Sequence, residues 1–350
     1  MLGLAAEQLR LITPDVGGAF GAKFGAEVEH AVVALAARHV GRPATWVETR
    51  SENMIAMTHG RAQVQTVTIG GDLAVGRIGY GAMQLTGPKV WGEYPDHDKG
   101  VDLLREVVKA GVTFIDTADV YGPHSNEELI REALHPYPDN LVIATKGGFL
   151  RGGPEYSDMG ASGSKWYLRQ AVYMSMRRLG LDHIDLYYLH TPAFTDAPFE
   201  EAIETLAGMK ADGLVRHIGL SNVSADQLRT AMSVTDIAAV TVHYNVAVRL
   251  GAAVRKVAEE TGTVFSPWHP AAIPSGPEGG PFHAAIDPIA AKYDVMPQQI
   301  ALAWQLHRAA TALPIPGTTS AEHLYQNLAA ASISLTQAEV DAITVLAPED

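Results

Sequence analysis

The sequence predicts an α/β protein: a (β/α)₈ TIM barrel with an N-terminal hairpin and a C-terminal helix, preceded by a short α+β appendage. Three observations carry the prediction. From about residue 66 onward, short β-branched runs alternate with amphipathic stretches of helix length. The alternation recurs eight times, the number that closes a parallel barrel. Finally, alternating units could also build a doubly wound open sheet. The first of them, GYGAMQ (79–84), has Gln84 where the third glycine of a dinucleotide fingerprint would stand.

The chain divides near residue 65. Within 1–65, LRLITP reads as a strand, DVGGAFGAKFG (15–25) as a loop and EVEHAVVALAARHV as an amphipathic helix. A GRP turn then leads into ATWVETR, a second strand. A glycine-rich loop opening a helix is a common phosphate seat. The dinucleotide spacing fails, however: counted from Gly17 its three places hold Gly17, Ala19 and Ala22. Lys23 also lacks the glycine before it and the Ser or Thr after it that a P-loop requires.

In 66–350, VTIGGDLAV (67–75) reads as a hairpin turning at Gly70–Gly71 and closing the barrel's bottom. The candidate strands are RIGYGAM (77–83), VTFIDT (112–117), LVIATK (141–146), IDLYYLH (184–190), RHIGLS (216–221), AAVTVH (238–243), TVFSPW (263–268) and ALPIP (312–316). Candidate helices follow them at 98–111, 125–135, 166–180, 199–213, 224–234 and 251–262, then as the pair 286–295 and 297–308, and at 320–331. LTQAEVDAITVLA (335–347) supplies the C-terminal helix. Two glycine- and proline-rich inserts, 151–167 and 271–283, together with WGEYPD (91–96), are expected to wall a substrate pocket, the two inserts as mobile lids.

Composition narrows the function. Hydrophobic residues make up 47% and charged residues 19%, an ordinary globular balance. A net charge of −13 counts against nucleic-acid or anionic-membrane partners. The absence of cysteine excludes disulfides, iron–sulfur clusters, thiolate zinc sites and cysteine nucleophiles. The histidines are scattered without an HxxxH pair, so no metal is expected. No apolar run is long enough to span a bilayer and MLGLAAEQLR lacks the marks of a secretion signal, so a cytoplasmic location is expected.

In a (β/α)₈ barrel, residues that do chemistry sit where strands end and βα loops begin. Asp116, Lys146 and His190 each end a predicted strand, and Tyr121 lies five residues beyond Asp116. Taken singly, each has an ordinary explanation as a cap, a solvated charge or a packing residue. Together they place a carboxylate, an ammonium, a phenol and an imidazole on one rim.

This constellation resembles the aldo/keto reductase family over essentially all of 66–350. RIGYGAMQL, FIDTADVYGPHSNEELIREAL, VIATKGG, LDHIDLYYLHTP, GLVRHIGLSNVSADQL, PQQIALAWQL and LPIPGTTSAEHLYQNLAAA carry the likeness. Within the family, GYGAMQLTGPKVWGEYPD and YGPH look most like the pyridoxal reductases, also called pyridoxine 4-dehydrogenases. The resemblance implies an NAD(P)H-dependent oxidoreductase that reduces an aldehyde or ketone, such as pyridoxal, to an alcohol.

Tyr121 would be the acid, with a pKa lowered from about 10 by the Lys146 ammonium. Asp116 would hold the lysine, and His190 would orient the carbonyl. Trp91, Tyr121 and His190 would meet the substrate. The resemblance further assigns cofactor contacts to Ala82, Met83, Asp116 and Thr241. Ser221 and Asn222 would bind the nicotinamide carboxamide, and Trp268 would stack on the ring. Gly317, Thr318, Thr319, Ser320 and His323 would receive phosphate, and Gln326 and Asn327 the adenine. Two departures stand out: Thr241 replaces the usual glutamine, and GTTSAEH has no Lys or Arg for a 2′-phosphate. NADP(H) is favoured on family grounds, with NAD(H) as the alternative.

Residues 1–65 resemble a fragment of the molybdenum-binding large subunit of the xanthine dehydrogenase and aldehyde oxidase family. The likeness rests on TPDVGGAFGAKFGAEVEHAVVALAARHVGRPATWVETRSENM and HGRAQ. Gly17, Gly18, Phe20 and Gly21 would be the counterparts of the loop that approaches the molybdenum cofactor. The expected origin is a gene-fusion remnant. Two other functional classes stay open: a cofactor-binding regulatory module akin to potassium-channel β-subunits, and a molybdenum hydroxylase component.

Overall fold

The computed structural model describes residues 66–349. They lie in the second of the two units into which the chain divides, Val64–Asp350. The strands, helix and glycine loop expected within 1–65, with Gly17, Gly18, Phe20 and Gly21, fall outside the described residues.

Chain order starts with a hairpin, β1 (Thr66–Ile69) and β2 (Leu73–Gly76), paired antiparallel. Gly70 and Gly71 both take positive φ, 60° and 87°, which glycine adopts without a Cβ penalty. Val67, Ile69 and Val75 face the same apolar cluster as Phe114, Val142, Leu186 and Leu313, so the hairpin plugs one end of the barrel as expected.

Seven strands form the parallel wall: β3 (Tyr80–Gly81), β4 (Phe114–Asp116), β5 (Val142–Gly147), β8 (Ile184–Leu189), β9 (Val215–Ser221), β10 (Ile237–His243) and β11 (Val264–Trp268). Every neighbouring pair among them is parallel.

The expected eighth strand, 312–316, takes its place without becoming a regular strand. Pro314 and Pro316 have no N–H to donate, so only part of a ladder can form. Leu313 N donates to Phe265 O at 2.8 Å, while Gly79 N and Gly81 N donate to Pro314 O and Pro316 O at 3.0 and 3.4 Å. The segment thus bridges β11 and β3 and closes the barrel. The expected first strand also shrinks, since Ala82–Gln84 turns as a 3₁₀ helix.

The surrounding helices are α1 (His97–Lys109), α2 (Ser125–Leu134), α3 (Lys165–Leu179), α4 (Phe199–Ala211), α5 (Ala225–Val234) and α6 (Ala252–Thr261). They are followed by α7 (Gly276–Tyr293), α8 (Pro297–Arg308), α9 (Ala321–Ala329) and α10 (Gln337–Thr344). Local chemistry sets their ends. Ser224 and Gln227 form a reciprocal capping box at α5, and Gly180 ends α3 at φ 69°. The apolar faces of these helices join Ile115, Ile143, Leu189 and Ile218 in one core layer outside the sheet, each side chain contributing about 1.5–3 kcal/mol by its burial.

Both inserts expected as mobile lids have regular structure. Residues 149–161 form an antiparallel hairpin, β6 (Phe149–Arg151) and β7 (Met159–Ala161). Most of 271–283 belongs to α7, whose Pro277 sits in the first turn, where its missing N–H costs nothing. Composition alone misread this stretch because Pro281 and Pro288 also lie inside the helix. Among the described residues, no helix is long and apolar enough to cross a membrane.

Candidate active site

The polar residues expected at strand ends gather at one mouth of the barrel. Asp116 is the last residue of β4, Lys146 lies next to the end of β5, and His190 directly follows β8. Tyr121 precedes the short 3₁₀ turn at 122–124. All four line a cavity of about 760 Å³, a volume suited to a small-molecule ligand.

Lys146 Nζ donates to Asp116 Oδ1 and, at 2.8 Å, to the carbonyl of Thr117. The same ammonium lies 5.3 Å from the centre of the Tyr121 ring. Tyr121 and His190 meet edge-on with ring centres 5.9 Å apart, and Phe149 packs against the other side of the site, 4.7 Å from the His190 ring.

Burial dominates the electrostatics. It pushes the Tyr121 phenol above its ordinary value, and the nearby Lys146 charge opposes this without overcoming it. The lysine therefore acts in the direction expected from the sequence, but the net shift is upward because the phenol is desolvated. Burial, followed by the Lys146 charge, drives His190 well below its usual value, so the imidazole is neutral. Burial also disfavours charge on Lys146, but Asp116 and Tyr121 more than compensate and keep it an ammonium. Two buried atoms, Asp116 Oδ2 and His190 Nδ1, have no hydrogen-bond partner.

A second group extends the site. Asn222, held at φ 59°, donates from Nδ2 to His190 O at 3.1 Å and to Ser221 Oγ at 3.0 Å. Its Oδ1 accepts from Trp268 Nε1 at 3.1 Å, and the Trp268 ring stacks on His243 at 4.0 Å. Thr241 Oγ1 lies buried on the cavity wall without a partner.

At the barrel's closing seam, a Cβ on Gly317 would stand 2.8 Å from Gly81 O, and one on Gly81 would stand 2.7 Å from Ile315 O. Glycine is required there because two backbones cross at the cavity edge. Met83, Gly317, Thr318, His323, Gln326 and Asn327 line the cavity, as do Ser221, Asn222, Thr241 and Trp268.

Four expected contacts are not on the cavity lining. Ala82 is fully buried, and its carbonyl accepts from Asn126. Ser320 serves α9 as its cap, with Oγ accepting from His323 N at 3.4 Å. Thr319 is absent from the lining, and Trp91 stands behind it against the Arg151 guanidinium at 5.3 Å.

Phe149, which reaches the cavity from β6, and Asp119 are missed in the sequence, whereas Arg151, two residues beyond Phe149, opens the insert 151–167 expected to wall the substrate pocket and lines the cavity. Asp119 is buried, with Oδ2 accepting from Tyr167 at 3.4 Å. Its position in TADVYG, between the strand-end Asp116 and the loop residue Tyr121, was the available signal.

Comparison with known proteins places this geometry. The model of the Aldo/keto reductase family matches residues 77–347. A model of the Molybdopterin cofactor-binding domain matches residues 1–101. An uncharacterized oxidoreductase of Schizosaccharomyces pombe is 40% identical over 275 residues, 79% of this chain and 87% of that protein. Pyridoxine 4-dehydrogenase of Escherichia coli is 39% identical over 277 residues, 76% of this chain and 93% of that protein. The crystal structure of a Klebsiella pneumoniae aldo/keto reductase, solved with NADP and acetate, superposes with a TM-score of 0.67 at 26% identity, covering 82% of this chain and 97% of that one.

Proposed function

This chain belongs to the aldo/keto reductase family of oxidoreductases, and on that premise we propose that it reduces an aldehyde, with pyridoxal as the leading candidate, using NADP(H). The observation that carries the reading is the convergence of Asp116, Tyr121, Lys146 and His190 on one cavity that also contains Ser221, Asn222, Trp268 and the start of α9.

The residues present fit a dinucleotide. Thr241 Oγ1 is a buried hydroxyl without a partner, and Ser221 and Asn222 stand beside it on the wall, as an amide-bearing ring would need. Trp268 offers an aromatic face, Gly317 leaves space no side chain could share, and the amides at the N-terminus of α9 suit phosphate. Gln326 and Asn327 remain for the adenine. A bound nicotinamide would supply hydride to the carbonyl carbon.

The chain's own residues supply the rest. His190, neutral through burial, holds the carbonyl oxygen with an N–H. Tyr121 keeps its proton at neutral pH because the phenol is desolvated, and it delivers that proton to the oxygen as the alcohol forms. Lys146 then stands by the phenolate as a fixed cation, and Asp116 keeps it in place. In the opposite direction the same phenolate takes the alcohol proton.

The location proposed for this activity is the cytoplasm, and the boundary proposed for the reductase unit is 66–350. The match of residues 1–101 to a molybdopterin-binding model supports a second reading, a molybdenum enzyme component. Against it, the described part of that match, from residue 66, already builds the hairpin, β3 and the start of α1. Metal analysis separates the two, and stoichiometric molybdenum would favour the second. A panel of aldehydes including pyridoxal, assayed with NADPH and with NADH, tests the first. Reduction with NADPH is expected, and no reduction with either would remove it.

A further inference from the structure

The β6–β7 hairpin borders the reacting end of the cavity, because Phe149 packs against His190. Arg151 lies two residues further along the same short strand, hence on the same face, and lines the same cavity. Its guanidinium is set over two rings, Trp91 at 5.3 Å and Tyr156 at 5.4 Å, which fix its plane.

All its hydrogen bonds go to backbone carbonyls. Nε donates to Gly153 O at 3.3 Å, Nη1 and Nη2 donate to Lys89 O at 3.3 Å, and Nη2 donates to Pro154 O at 2.8 Å. Four of the five N–H groups are thus engaged, and one on Nη1 is left. Among the described residues, no carboxylate is paired with this cation. The nearby Glu155 is held by Lys89 at 2.5 Å. Asp116, the one carboxylate on the cavity lining, is held by Lys146. In a chain of net charge −13, the substrate end of this cavity therefore presents an unneutralised guanidinium.

Resting on the carbonyl-reductase reading above, we propose that the preferred substrate is not pyridoxal itself, which has neither group, but an aldehyde bearing an anionic oxyacid group, a carboxylate or a phosphate, which Arg151 binds while the carbonyl lies at Tyr121 and His190. Arginine suits this task because its planar fork matches both anions. A guanidinium serving only to brace the hairpin would affect charged and neutral substrates alike.

The test compares two matched pairs with NADPH and the full chain: 4-carboxybenzaldehyde against methyl 4-formylbenzoate, and pyridoxal 5′-phosphate against pyridoxal. In the unaltered protein, kcat/KM for at least one anionic member is expected to exceed that of its neutral partner by about tenfold or more, chiefly through KM. The pair that shows the preference identifies the anion. In Arg151→Met the ratio falls to about one, and Arg151→Lys retains part of it. Equal use of charged and neutral partners by the unaltered protein overturns the assignment without need of a variant, as does a preference that survives in Arg151→Met. Reduction of the neutral members alone overturns Arg151's role and leaves the reductase reading standing. Reduction of none of the four overturns both.

Discussion

Lys146 and Asp116 form an ion pair inside the barrel mouth, with only 3% of either side chain exposed. A pair so desolvated is costly to break from one side, because the remaining charge has no water to replace its partner. Asp116→Asn leaves the Lys146 ammonium beside a neutral amide. A loss of about 3–5 kcal/mol in stability is expected, read from denaturant unfolding. Turnover should fall by about 10²-fold or more, because the ammonium is no longer anchored beside Tyr121. An unchanged unfolding midpoint would show that the pair does not hold the mouth together.

Asp119 gives the fold a pH dependence of its own. Burial, aided by the Glu127 carboxylate, pushes its carboxyl from 3.8 up to about 8. The folded protein therefore holds this proton more tightly than the unfolded chain does. The stabilisation is fully present below the unfolded value of 3.8 and is lost as pH rises through about 8. Asp119→Asn removes the ionisation, and its melting temperature is expected to decline less than that of the unaltered protein between about pH 6 and pH 9. Parallel declines would mean that Asp119 is ionised in the fold at neutral pH.

The closing seam makes a steric prediction. A methyl group at Gly317 would press against the carbonyl of Gly81, a backbone atom that cannot rotate away. Gly317→Ala should therefore cost about 1–3 kcal/mol in stability and weaken NADPH binding, measured by quenching of protein fluorescence. Unaltered binding and stability would mean that the two backbones can separate without consequence.

Asn222 is expected to matter through position. It joins His190 to Trp268 by hydrogen bonds to both, so Asn222→Ala frees the indole and removes a support of the His190 backbone. The expected result is a weaker Kd for NADPH together with a lower kcat. A change in kcat alone would separate Asn222 from cofactor binding.

The barrel was legible in the sequence because its two periods, strand and helix, alternate cleanly from residue 66. The site was legible because Asp116, Lys146 and His190 each close an apolar strand with a polar residue. Other features depend on contacts that local patterns do not encode. Pro314 and Pro316 hide the eighth wall segment from regular pairing, though β11 and β3 still bond to it. Glycine and proline suggested loose lids at 151–167 and 271–283, yet one stretch pairs as β6–β7 and the other winds into α7. The buried bonds of Glu127 to Arg178 and Thr145, at 2.6 Å each, join residues 51 and 18 positions apart, and nothing local announces them. The upward shift of Tyr121 was likewise invisible, because the depth of burial opposes the visible lysine.

The most direct test of the central claim is NADPH oxidation with an aldehyde, followed in the unaltered protein and in Tyr121→Phe, with NADPH affinity measured alongside. The account predicts turnover in the first, a loss of about 10²-fold or more in the second, and nearly equal NADPH affinity in both. Comparable turnover in Tyr121→Phe would contradict it.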